Sequence, residues 1–240
     1  TFPGMRGSSI RTRNRRLGNY VDRVLSKDTT DVTGIAHPDR LEPLLQLIAA
    51  RNSGEFVAAR VGRELDIPVR SLPAYLKALQ SVYMIRIVPG WSNNVAKRAV
   101  AIPKVSVSDT GLAAYLAGID ADGLEQDVSA TLAGGFIEGF VLGELSKQLA
   151  WSIHDLKLTH FRDNHDHEVD IILENRRREV VGIEVKATSN PRSNDFKGLD
   201  FLRGKLGERF KAGVLLHTGT RSLPFGDRVW ALPISKLWEH

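Results

Sequence analysis

Apolar side chains recur along this chain at two periods, and the change of period divides it. At helical spacing, Leu17, Tyr20, Val21, Val24 and Leu25 predict a helix over residues 14–27. Leu41, Leu44, Leu45 and Ile48 mark a second helix, and Val57, Val61 and Leu65 mark a third that opens after Gly54. After the polar turn Asp66-Ile67-Pro68, Leu72, Tyr75, Leu76 and Leu79 mark a fourth, and the apolar run 84–88 reads as a strand. Residues 104–116 pass from strand to helix through Asp109-Thr110-Gly111, with Asp109 a suitable N-cap. Residues 118–135 carry Asp120, Asp122, Glu125 and Asp127 with few large apolar groups, and they read as a linker. A helix over 136–151 follows.

Beyond it the period shortens. Residues 156–161 alternate as a strand, and two β-branched runs, 169–173 and 180–185, flank a polar stretch in the manner of a β-hairpin. Pairing Leu173 with Val181 and Asn175 with Glu179 puts the turn on residues 176–178 and Asp170 across from Glu184. Opposed residues share a face, and a period of two adds Lys186 to it, while Ile171, Ile183 and Val185 point the other way. A helix over 195–210 and an apolar strand over 213–217 complete the order α-β-β-β-α-β. A strand at 229–232 and a short helix at 235–238 are expected at the periphery.

Composition alters this picture little. Of 240 residues, 42% are hydrophobic and 25% charged, which is ordinary for a globular chain long enough to bury two cores. There is no cysteine, so disulfides and thiolate metal sites are excluded and a reducing cytoplasm fits. No run approaches 18 apolar residues, so no membrane span is expected. A net charge of +5 leans towards a polyanionic partner. The arginine cluster Arg11, Arg13, Arg15 and Arg16 could grip phosphate, although the solvated start of a helix is the preferred reading.

Charge within the hairpin matters more. Two adjacent carboxylates, Asp170 and Glu184, repel unless a cation lies between them. Oxygen-only ligands favour Mg²⁺ or Mn²⁺, and Lys186 could orient water or stabilise a phosphorane-like transition state. In the helix before the hairpin, Glu138 shares a stripe with Val141, Leu142, Leu145 and Leu149, so it needs a partner. The same cation would supply one, as would an arginine such as Arg162. His160, His165 and His167 lie close to Asp163 and Asp166, but His-x-His in a tight turn lacks the preset geometry of a zinc site, and a solvated loop is preferred.

The order Asp170…Glu184-x-Lys186 resembles the PD-(D/E)XK nuclease and phosphodiesterase superfamily, with Val169 in place of its proline. That resemblance implies metal ligation by Glu138, Asp170, Glu184 and the backbone carbonyl of Val185, and catalysis through Asp170, Glu184 and Lys186. Residues 38–107 resemble a winged helix-turn-helix, whose recognition helix at 69–81 would offer Arg70, Ser71 and Lys77 to DNA and whose wing at 85–107 would offer Arg86, Lys97 and Arg98. Phe2-Pro3-Gly4, the helix at 20–28, Trp91-Ser92, Asp109-Thr110-Gly111-Leu112-Ala113, Ile183-Glu184-Val185-Lys186, Leu223-Pro224-Phe225-Gly226 and Trp230-Ala231-Leu232-Pro233 together resemble prokaryotic AAA-type ATPases with a C-terminal domain of unknown function. The resemblance implies an ATPase domain ahead of Thr1. Gly204-Lys205 is no P-loop, since Leu199 stands where the first glycine should and Leu206 follows the lysine, so ATP binding is not expected here.

The expected protein is therefore α/β. It has an N-terminal helical segment (1–37), a winged helix (38–117), a linker (118–134) and a PD-(D/E)XK-like domain with a mixed sheet (135–240). Mg or Mn is the expected cofactor. DNA, the upstream ATPase domain and further copies of the chain are the expected partners, with no membrane involved. The rival expectation is a catalytically inactive regulatory or protein-interaction module serving the ATPase.

Overall fold

The structure, a computed structural model, describes residues 5, 7–28, 35, 37–119 and 130–239. It divides into two compact units, residues 1–87 with 105–139 and residues 88–104 with 140–240. The expected segments Phe2-Pro3-Gly4 and most of the acidic linker lie outside the described residues.

In chain order the elements are α1 (Ile10–Arg23), α2 (Leu41–Ala50), β1 (Gly54–Glu55), α3 (Ala58–Glu64), α4 (Leu72–Ser81), β2 (Ile85–Val88), α5 (Val95–Arg98), β3 (Lys104–Val107), α6 (Thr110–Leu116) and α7 (Ala130–Trp151). There follow β4 (Leu156–Arg162), β5 (Glu168–Asn175), β6 (Val180–Lys186), α8 (Lys197–Leu206), β7 (Phe210–His217), β8 (Leu223–Gly226) and β9 (Val229–Pro233). The helix–strand–strand–strand–helix–strand order read from the sequence is present as α7-β4-β5-β6-α8-β7.

In the first unit the expected apolar stripes are the buried ones. Leu41, Leu44, Leu45 and Ile48 of α2, with Leu72, Tyr75 and Leu79 of α4, are almost wholly removed from water. Asp109 caps α6 by accepting the Leu112 N–H at 2.9 Å. A three-stranded sheet, β1-β3-β2, accompanies these helices. Asn52, buried after α2, accepts the Val107 N–H at 2.9 Å and donates to Gly135 O at 3.1 Å. One amide thereby ties β3 to α7 through their backbone groups.

The second unit is a six-stranded mixed sheet ordered β4-β5-β6-β7-β9-β8. β4, β5 and β6 pair antiparallel, β7 and β9 continue in parallel, and β8 closes antiparallel. Residues 229–232, expected at the periphery, instead lie in the interior strand β9, because the unforeseen β8 takes the sheet edge. The helix expected over 195–210 contracts to α8, since Gly207, at φ +55°, turns the chain where a continuing helix would not. Phe196, Leu199, Leu202 and Leu206 of this region pack with Ile172, Val180, Phe210 and Leu215.

Of the wing expected over residues 85–107, residues 88–104 are counted with this second unit. Gly90 bridges His160 of β4, and the His160 N–H donates to Pro89 O at 3.0 Å, so the otherwise open edge of β4 is covered. Trp91 is 2% exposed and meets Phe161 edge-on at 5.9 Å. Arg98 grips the buried Glu174 through both terminal guanidinium nitrogens, at 2.5 and 2.9 Å, and lies over the Trp91 ring. Removing one partner of a buried pair costs roughly 3–5 kcal/mol, because the other charge is stranded. Arg98→Ala should therefore lower the urea midpoint sharply, with Glu174→Gln in the same chain restoring part of the loss. An unchanged midpoint would contradict the placement of this segment.

Candidate functional site

The hairpin has the register expected from the sequence. Leu173 faces Val181, and the Asn175 N–H donates to Glu179 O across the turn at 3.1 Å. The paired stretch of β5 and β6 runs from Ile171–Ile183 to Glu174–Val180, short of Asp170. On the other side of β5, Thr159 faces Ile172 and Phe161 faces Val169. The single β4 residue His160 therefore opposes two residues of β5, Asp170 and Ile171, which is a β-bulge. The bulge frees the Asp170 side chain from simple alternation. Its Oδ2 accepts the Val185 N–H of β6 at 2.9 Å.

Its Oδ1 meets a cation from far away in the chain. The Lys104 ammonium, 5% exposed at its side chain, donates to Asp170 Oδ1 at 3.1 Å and lies 2.9 Å from Glu168 Oε1. Burial alone would push the Asp170 carboxyl up, but the Lys104 and Lys186 charges and the Val185 amide together hold it below its ordinary range. Asp170 is therefore an anion at neutral pH.

Glu184 is the contrasting member. Its Oε1 accepts from Lys186 Nζ at 2.7 Å, whereas Oε2 is buried with no hydrogen-bond partner. Burial first, and then the neighbouring Asp170 charge, push its carboxyl up to about 8. Lys186 is half-buried; burial works against its charge, but Glu184 and Asp170 overcome this and raise its pKa. The ammonium therefore stays protonated at neutral pH.

His160 completes the surroundings. Its Nε2 lies 2.9 Å from Ile102 O, which can only accept, so the proton is on Nε2 and the buried Nδ1 is left without a partner. Burial, then the Lys104 charge, push it down to about 4, so the ring is neutral. His217, paired in register with Lys186, has both ring nitrogens held by its own loop, through Gly219 N–H and Arg221 O. His167 is bonded to Asp163 at 3.0 Å and stacked on Phe201.

Residues 1–123 match the family described as Domain of unknown function (DUF8612). The chain belongs to this family. Residues 133–237 match a second description, Domain of unknown function (DUF4143), a domain found in proteins associated with AAA-type ATPases. The DUF8612 chain is 29% identical over 222 residues to uncharacterized proteins of Mycobacterium bovis (strain ATCC BAA-935 / AF2122/97) and Mycobacterium tuberculosis (strain ATCC 25618 / H37Rv). That alignment covers 91% of this chain and 47% of each relative, so the chain spans about half the length of the relatives it matches. Asp170, Glu184 and Lys186 fall in the DUF4143 stretch and Lys104 in the DUF8612 stretch.

Of the residues expected to act together, the structure brings Asp170, Glu184 and Lys186 to one place, and Val185, expected to offer its carbonyl, donates its N–H to Asp170 there. Glu138, half-buried on α7, belongs to the first unit. Among the described residues no group of three or more His, Cys, Asp or Glu side chains is poised to hold a metal. Two carboxylates nevertheless suit Mg²⁺, which is commonly bound by one or two of them and completed by water or phosphate. The unpartnered Glu184 Oε2 is an oxygen of the kind such an ion takes. Lys104 was not singled out in the sequence, because its partner lies 66 positions away and a lysine opening a strand carries no local signal.

The residues expected to meet DNA divide between the units. Arg70 and Lys77 are exposed and Ser71 and Arg86 half-buried in the first, and Lys97 is exposed in the second. The guanidinium of Arg98, also expected to meet DNA, is taken up by Glu174 and the Ser92 carbonyl.

The raised Glu184 pKa has a signed consequence. Between its unfolded value of about 4.3 and about 8, the folded chain holds a proton that the unfolded chain releases. Stability from this group is full below that window and is lost as pH rises through it. Glu184→Gln should remove this slope, so that its urea midpoint gains on the wild type from pH 5 to pH 9. Parallel midpoint profiles would contradict the assignment.

Proposed function

We propose that the chain is the C-terminal part of an AAA-type ATP-binding protein, built as a winged helix-turn-helix and a PD-(D/E)XK-like unit. In this reading Asp170 and Glu184 bind Mg²⁺ or Mn²⁺ for hydrolysis of a DNA phosphodiester. The observation that carries the reading is the carboxylate pair itself, one member anionic and the other ending in a buried oxygen without a partner. The DUF4143 match supports the ATPase association, and the 47% coverage of the relatives is compatible with a further domain in a protein of their length.

The chain's own residues divide the work. The Val185 amide orients Asp170 and keeps it ionised. Lys186 stays charged, so it serves to orient the attacking water and to stabilise charge on the phosphoryl oxygens rather than to accept a proton. Glu184 holds Lys186 in place through Oε1. The superfamily resemblance suggests the Val185 carbonyl as a further ligand, whereas Glu138, which it also suggests, lies in the other unit. The divalent ion, when bound, neutralises phosphate charge and favours ionisation of water. Arg70, Ser71, Lys77, Arg86 and Lys97 would contact the DNA backbone.

A specific observation favours a second reading. Lys104 on Asp170 and Lys186 on Glu184 already occupy the pair from within, as in a non-catalytic module that serves the ATPase. Incubation with Mn²⁺ and single-stranded, duplex or branched DNA separates the two. Cleavage that drops by roughly 100-fold or more in Glu184→Gln is the expected result. No cleavage by the folded wild type would leave the regulatory reading, and equal rates in the variant would remove Glu184 from the chemistry. DNA affinity should also fall steeply with added salt; affinity indifferent to salt would exclude phosphate contacts.

A further inference from the structure

Lys104 has no part in the expected motif, yet it is the most deeply buried cation at the site. Its ammonium lies 3.1 Å from Asp170 Oδ1 and 2.9 Å from Glu168 Oε1, and its side chain is 5% exposed. Asp170 Oδ2 is engaged by the Val185 N–H, so Oδ1 is the oxygen that Lys104 controls. Mg²⁺ binds carboxylate oxygen at about 2.1 Å. A dication at that distance from Oδ1 would meet an ammonium already within hydrogen-bond reach of the same atom, inside a buried site where screening by water is weak.

We infer that Lys104 is a resident cation of this site, which competes with the divalent ion for Asp170 and must swing off Oδ1 for that ion to bind. The inference rests on the cation-site reading above. The swing has a destination, since Glu168, whose side chain is 32% exposed, already accepts the same ammonium and lies nearer to water than Asp170. A four-carbon stem lets the ammonium leave one acceptor while keeping the other. Lys186 acts on Asp170 only through its charge, because its hydrogen bond goes to Glu184 Oε1 and leaves Asp170 Oδ1 to Lys104. Loss of Lys104 therefore leaves Asp170 Oδ1 open to a divalent ion, which can supply the positive charge that the ammonium supplied.

The test is Mn²⁺ binding to the full chain by calorimetry, comparing wild type, Lys104→Gln and Lys104→Arg. Removing one competing charge should tighten Mn²⁺ binding by roughly tenfold or more in Lys104→Gln, while Lys104→Arg, which keeps the charge, should not tighten it. Equal affinity in wild type and Lys104→Gln overturns the competition and leaves the cation site standing. Absence of binding in both, with folding intact, overturns the cation site and the competition together. Should Lys104→Gln fail to fold, amine labelling of the wild type decides. Mg²⁺ is expected to raise labelling of Lys104 severalfold as it moves towards Glu168, and labelling indifferent to Mg²⁺ overturns the inference.

Discussion

The Lys104–Asp170 ion pair is the interaction on which the candidate site depends. A carboxylate as buried as Asp170 keeps its charge only when cations and hydrogen-bond donors replace the water it has lost. Lys104 and the Val185 amide are those partners, one on each carboxylate oxygen. The charge they sustain then acts on Glu184. Together with burial, it moves that acid to about 8 and makes two chemically similar residues titrate far apart. Lys186, held by Glu184, inherits a raised pKa in turn.

Backbone geometry makes this possible. If β4 and β5 were in continuous register, Asp170 would follow simple alternation on the pleat. The bulge opposite His160 breaks the alternation at that residue, and the carboxylate caps a strand amide beyond the paired stretch of β5 and β6. Arg98 and Trp91 hold the segment that leads to Lys104 against the sheet, so residues suited by composition to touch phosphate serve to position a lysine.

Much of this is legible in the sequence where the interactions are local. The hairpin register follows from the polar turn and the β-branched runs, and the stripes of α2 and α4 follow from helical spacing. Asp109 is legible as a cap because its partner is three residues away. The bulge is not legible, since it depends on the register of β4 against β5. The burial of Trp91 and the pairing of Arg98 depend on contacts across more than 60 residues. β8 is not legible because Leu223-Pro224-Phe225-Gly226 has proline and glycine in a four-residue strand, which only an edge position tolerates. Lys104 carries no local signal for the same reason that the pairing of Arg98 does not, with the added difficulty that a buried lysine is rare enough to be expected only when its partner is known.

Asp170 and Glu184 are proposed to form one cation-binding site. Anomalous diffraction from crystals of the chain soaked in Mn²⁺ tests it most directly. A manganese peak bound by carboxylate oxygens of both residues, with the Lys104 ammonium withdrawn from Asp170 Oδ1, is the expected result. Manganese bound only elsewhere, with Lys104 still on Asp170 and Lys186 still on Glu184, would contradict the account.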